Sequence, residues 1–244
     1  MTPGSDRLCR EISEASGRVC FLGFSRGKDS IAAWLQLRRF FDRVIPFHCA
    51  SVPGLRFVDE SLDYYERWFG VSILRLMDGS VFGALNELAF QLLSGEAEID
   101  AAGFWSYSKH EILGLLREKY SLPRAWCAFG INMTDSIDRR VYVAKIEGRN
   151  ENRRTFYPCW DWSRGQILQV ISESGIRLPR DYLFANRTLA DVPNVRHLER
   201  MLKLAPADFE RVEMFFPLIA ARLARNRFRR GGGSVVVEEC RLWE

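Results

Sequence analysis

The stretch from residue 19 to residue 37 constrains the fold more than any other part of the chain. An apolar run, Val19-Cys20-Phe21-Leu22-Gly23-Phe24, passes directly into Ser25-Arg26-Gly27-Lys28-Asp29-Ser30 and then into Ile31-Ala32-Ala33-Trp34-Leu35-Gln36-Leu37. The first segment reads as a strand buried on both faces and the last as a helix packed along its apolar side. A strand that leads through small and polar residues into a helix is the βα unit of parallel sheets, and it aims the first helical N–H groups at the loop. The loop has the chemistry of an anion cradle. Gly27 allows close backbone approach, Ser25 and Ser30 supply hydroxyl donors, and Lys28 adds a compact positive charge. The pattern is neither G-x-x-x-x-G-K-[ST] nor G-x-G-x-x-G.

The same logic extends along the chain. Residues 44–50, 71–76, 126–129 and 141–146 read as further strands, residues 7–15 as a leading helix, and residues 81–120 as helices inserted before the fourth strand. Strands alternating with helices predict an α/β fold with a mainly parallel sheet. Pro179, Pro193 and Pro206 punctuate a helical C-terminal region. At 244 residues and 47% hydrophobic the chain can bury one good-sized core. The expected organisation is an α/β domain over residues 1–184 and a helical, Arg-rich extension over residues 185–244. No apolar stretch has the length of a membrane span and the N-terminal residues lack a signal-peptide pattern, so a cytoplasmic protein without a membrane partner is expected. The six cysteines are scattered with no C-x-x-C, as buried reduced thiols would be.

Four segments in order carry a family resemblance. The loop at residues 25–30 resembles the S-G-G-x-D-S pyrophosphate loop of N-type ATP pyrophosphatases, with Arg26 in place of the first glycine. Val52-Pro53-Gly54-Leu55-Arg56-Phe57-Val58-Asp59-Glu60-Ser61 resembles D-T-G-x-x-F-P-E-T; Gly54, Phe57 and Glu60 match, and Val52 stands where the motif has its aspartate. The stretch from Gly130 to Arg139 resembles G-x-R-x-x-E-S-x-x-R through Gly130, Asp135, Ser136 and Arg139, with Asn132 replacing the first arginine. Pro158-Cys159-Trp160-Asp161-Trp162-Ser163 resembles P-x-x-x-W-[ST], where Ser163 would be the N-cap of a late helix. Over residues 17–184 the chain thus resembles the phosphoadenylyl-sulfate (PAPS) reductase and ATP sulfurylase small-subunit group of PP-loop ATP pyrophosphatases.

The resemblance implies an adenine nucleotide alpha hydrolase-like (HUP) fold: a twisted, mainly parallel sheet with helices on both faces. It implies an enzyme that cleaves the α–β bond of ATP, adenylylates an acceptor and releases pyrophosphate, in sulfur metabolism or nucleic-acid modification. Ser25, Arg26, Gly27, Lys28, Asp29, Ser30, Gly54, Gly130, Ser136 and Arg139 would hold the nucleotide. Lys28, Arg139 and Asp29 would be catalytic, with Asp29 also the ligand for Mg²⁺. Expected cofactors are ATP and Mg²⁺. An iron–sulfur cluster is not expected, because cluster-bearing reductases of the group have C-C-x-x-R-K where this chain has Phe104-Trp105-Ser106-Tyr107-Ser108-Lys109.

Partners follow from charge and resemblance. Arg222, Arg225, Arg227, Arg229 and Arg230 are suited to a nucleic-acid acceptor, while the bacterial sulfate-activating arrangement implies a protein partner subunit. Two alternatives stay open. Glu239-Cys240-Arg241-Leu242 resembles E-C-G-L-H, which implies a thiol-dependent sulfonucleotide (PAPS/APS) reductase acting through Cys240. The departures at Val52 and Asn132 fit a non-catalytic nucleotide-sensing or nucleic-acid-binding protein. No Ser-His-Asp arrangement is evident.

Overall fold

The computed structural model describes residues 2–133, 137–182 and 195–229, except for the side chains of Lys109, Val195 and Arg196. The central strand is β1 (Val19–Gly23), flanked by β2 (Arg43–Ala50) on one side and β4 (Trp126–Phe129) on the other, all parallel. β3 (Leu74–Met77) extends the sheet beyond β2. On the far side β4 pairs in parallel with β6 (Thr155–Phe156), whose antiparallel partner β5 (Arg149–Asn150) forms the edge, giving the order β3-β2-β1-β4-β6-β5. The chain winds outward from β1 to β3 and then returns to the other flank of β1. This reversal opens a crevice at the carboxyl ends of β1 and β4.

Helices cover both faces, as the buried strands require. Along β1 the side chains alternate: Cys20 and Leu22 enter one apolar cluster and Phe21 enters the other. The larger cluster takes in α1 (Pro3–Ala15), α2 (Lys28–Leu37), α3 (Arg56–Phe69) and α8 (Arg164–Ser174). The smaller one packs Phe21, Ile45 and Phe47 against Ile112, Leu113 and Leu116 of α6 (Lys109–Lys119). The helical insertion expected before β4 is present as α4 (Gly79–Asn86), a 3₁₀ turn (Leu93–Gly95), α5 (Glu96–Ala102) and α6.

Local signals set several boundaries. Ser163 caps α8 through a reciprocal box with Gln166, and Gly175 closes the helix at φ 71°. Residues 141–146, expected as a strand, are instead mostly α7 (Ile137–Lys145), followed by a turn. The Val141-Tyr142-Val143 alternation suggested period two, yet only Val143 is buried while Ile137 and Val141 are exposed at helical spacing. β5 and β6 are two residues each and leave no periodicity to read.

The C-terminal region is helical where described: α9 (Val195–Leu204), α10 (Pro206–Phe215) and α11 (Ile219–Arg229). Leu198, Met201, Val212, Ile219 and Leu223 join the same apolar cluster as Leu22 and Ile31. Asp208 of α10 also accepts hydrogen bonds from the Arg56 and Phe57 N–H groups, so it satisfies the start of α3, whose own N-cap, Leu55, has no side-chain acceptor. Among the described residues no helix is long and apolar enough to cross a membrane.

Candidate functional site

Phe24 fixes the entry to the loop. It is buried edge-on against Tyr65 and Phe69, at centroid distances of 5.1 and 5.2 Å, and Phe69 stacks on Trp34 of α2. Aromatic pairs of this kind contribute on the order of 1 kcal/mol each beyond their burial. From this platform Ser25, Arg26 and Gly27 turn the chain into α2 at the crevice beside β4. Ser25 Oγ lies 3.2 Å from Ser30 Oγ, and the Ser30 hydroxyl donates to the Gly27 carbonyl at 2.9 Å. The Gly27 N–H in turn donates to Ser25 Oγ at 3.4 Å.

The charged residues follow on the first turn of α2. Lys28 Nζ is 2.7 Å from both carboxylate oxygens of Asp29, and Asn132 Nδ2 donates to Asp29 Oδ1 at 3.0 Å. Asn132, which stands in place of an arginine, is buried and brings a neutral amide to this carboxylate. Gly130 explains how the end of β4 reaches the loop. A Cβ there would lie 2.4 Å from Ser30 N and 2.5 Å from the Asp29 carbonyl carbon, so only glycine allows this contact. The structure therefore brings together Ser25, Gly27, Lys28, Asp29, Ser30 and Gly130.

Arg26 is turned elsewhere. Its backbone has φ 67°, the left-handed region that favours glycine, and its side chain is 1% exposed. The guanidinium forms a two-pronged pair with Asp181, 3.0 and 3.3 Å apart, and lies over the Phe57 ring at 5.8 Å. What Arg26 offers at the loop is main chain, not a phosphate-facing side chain. Gly54 sits at φ 78° in a separate turn packed by Arg211, which donates to the Pro53 carbonyl at 3.0 Å. Arg139 is exposed on the first turn of α7, and its neighbour Arg140 reaches the Met133 carbonyl at 3.4 Å. Ser136, Asp135, Arg230 and Cys240 lie outside the described residues.

Beside the loop is a cavity of about 230 Å³, bounded by Ser25 and Arg26, the end of β2, and α9 and α10. Val52, in the motif's aspartate position, is a buried apolar part of its lining, and Asp78 at the end of β3 brings a carboxylate to the same cavity. His48 lies in the lining with Nδ1 2.8 Å from the Phe24 carbonyl; burial, and then the Arg26 charge, lower its pKa to about 4 and keep it neutral. His197, Leu198 and Met201 of α9 close the cavity. Sequence reasoning missed these residues, Asp181 and Tyr182, because none belongs to a local motif. An apolar cavity with a few convergent polar groups, next to an anion cradle at the switch point of a parallel sheet, is suited to a nucleotide.

No protein-family model and no curated protein matches the sequence. Solved structures do match. The PAPS reductase from Candida auris, in a phosphate complex, superposes with a TM-score of 0.50 at 10% identity, over 78% of this chain and 89% of that one. NH3-dependent NAD synthetase from Campylobacter jejuni gives 0.45 at 13% identity, over 97% and 98% of the two chains. The U34-tRNA thiolase NcsA from Methanococcus maripaludis, with its [4Fe-4S] cluster, gives 0.46 at 13% identity, over 97% and 83%. The fold is that of the PAPS reductase, as the four segments implied. The expectation of no iron–sulfur cluster is corrected: among these matches the thiolase is described with its [4Fe-4S] cluster. Burial raises the pKa values of the Cys9, Cys20, Cys127 and Cys159 thiols.

Proposed function

We propose, from the PAPS reductase fold and the loop that opens its second helix, that this chain is a PP-loop enzyme: it binds ATP, cleaves the α–β bond and adenylylates an acceptor with release of pyrophosphate. The observation that carries the reading is the grouping of Ser25, Gly27, Lys28, Asp29 and Ser30 around the start of α2, beside a cavity of about 230 Å³. In this reading the adenosine occupies the cavity, and the phosphates lie on the serine hydroxyls and the α2 N–H groups. The leaving pyrophosphate gathers charge, which pre-placed donors stabilise more than they stabilise bound substrate. Lys28 serves that charge by exchanging its Asp29 partner for a phosphate oxygen. Among the described residues no three His, Cys, Asp or Glu side chains converge as a metal site, so a Mg²⁺ ion at Asp29 would be held jointly with phosphate oxygens.

The acceptor in this reading is a nucleic acid that docks on α11. Arg225, Arg227 and Arg229 are exposed, no acidic residue interrupts the helix, and Phe228 is 77% exposed between them. Arginines interleaved with an exposed aromatic ring suit a phosphodiester chain and its bases. The test is a product assay with α-labelled and γ-labelled ATP. Pyrophosphate with AMP or an AMP adduct is expected; ADP with phosphate sinks the reading, and sulfite released from a sulfonucleotide selects the thiol-dependent alternative. Lys28→Ala should weaken ATP binding by about 1–3 kcal/mol and adenosine binding little.

A further inference from the structure

The side chains of Ser25, Lys28, Asp29 and Ser30 already have partners inside the protein, and two further partners, for the Arg26 guanidinium and the Lys28 N–H, come from one dipeptide far along the chain. Ser25 and Ser30 satisfy each other and Gly27, and Lys28 Nζ satisfies Asp29. The Lys28 N–H, the first amide of α2, donates to the Tyr182 hydroxyl at 3.0 Å. The adjacent Asp181 holds Arg26 in a pair of 0% and 1% exposed side chains. Loop and dipeptide are therefore joined at residues 26 and 28, on both sides of Gly27.

We propose that Asp181 and Tyr182 form a strap that holds the phosphate loop in its unliganded form: the Tyr182 hydroxyl stands where a phosphate oxygen binds, and the Asp181–Arg26 pair anchors the strap. The proposal rests on the reading of residues 25–30 as a phosphate site. An N–H at the start of a helix prefers an anionic acceptor, because the unsatisfied N–H groups there carry partial positive charge. The Tyr182 hydroxyl is neutral, and burial raises its pKa further from ionisation. It keeps the amide satisfied and leaves the charge preference unmet. A phosphate chain with Lys28 beside it answers both demands and displaces the hydroxyl. Tyr182 is thus a positioning residue whose contact competes with the ligand. Asp181, deep in its ion pair, stays in place and lets the strap return.

The sign of one substitution tests this. In the full chain, Tyr182→Phe keeps the ring and removes the oxygen. Calorimetric titration with inorganic pyrophosphate should give about 2- to 10-fold tighter binding than wild type, the equivalent of one hydrogen bond, with adenosine affinity unchanged. Equal or weaker pyrophosphate binding overturns the strap while the phosphate-loop reading stands. No pyrophosphate binding by either protein overturns the loop reading and the strap together. A second measurement avoids the variant altogether. Nitration of Tyr182 by tetranitromethane, quantified by peptide mass spectrometry in the wild-type protein, should rise about 2-fold or more with saturating pyrophosphate, and unchanged nitration overturns the displacement.

Discussion

Asp181→Asn should be among the most damaging single substitutions in this protein, although it changes one oxygen to a nitrogen. Asp181 and Arg26 are 0% and 1% exposed and meet through two contacts of 3.0 and 3.3 Å. Neutralising the aspartate leaves the guanidinium buried without its countercharge, and breaking such a pair from one side costs about 3–5 kcal/mol. For a chain of this length each kcal/mol moves Tm by about 2–4 °C, so Tm should fall by about 6–20 °C. The stronger test is a cycle. Arg26→Gly alone strands the carboxylate and should also be costly. The double variant Arg26→Gly with Asp181→Asn removes both buried charges and places glycine at φ 67°, a conformation that costs other residues on the order of 1–2 kcal/mol. It should therefore be more stable than either single variant. Denaturant unfolding of the four proteins measures the cycle. A loss below about 1 kcal/mol for Asp181→Asn, or additivity in the double variant, would refute the argument that the pair holds a strained residue in the loop.

Three further outcomes are expected. Gly130→Ala places a methyl 2.4 Å from Ser30 N, so it should shift the loop, cost about 1–3 kcal/mol of stability and weaken ATP binding at least about tenfold by calorimetry. His48 should make the protein acid-labile. Its folded pKa of about 4 lies below the unfolded value near 6.5, so the unfolded chain takes up a proton first and stability falls by about 3 kcal/mol as pH drops between those values; Tm measured against pH should show a shallower slope in His48→Gln. Replacing Arg225, Arg227 and Arg229 by Ala should flatten the salt dependence of oligonucleotide binding by anisotropy while calorimetric ATP affinity is retained, and an unaltered salt slope would place the acceptor elsewhere.

What the chain declares in its sequence is what short-range physics decides. The β1–loop–α2 unit is legible because a buried strand must be apolar throughout, an anion cradle must be small and polar, and both are contiguous in residues 19–37. The Ser163 cap belongs to the same class, since a cap demands particular residue types, whereas the close approach of Gly130 to the loop came only from the fold. Residues 141–146 misled because Val-Tyr-Val alternation has the strand period, whereas burial on only one side selected a helix. Tertiary structure decided the rest of the site. Arg26 was legible as a loop residue, but its side-chain direction depends on Asp181, 155 positions away. Tyr182 at the Lys28 amide, Asp208 at the start of α3 and His197 in the cavity wall likewise come from the C-terminal part of the chain. No local motif marks such residues, because a buried charge, amide or cavity takes its partner from whatever segment the packing of the core brings within reach.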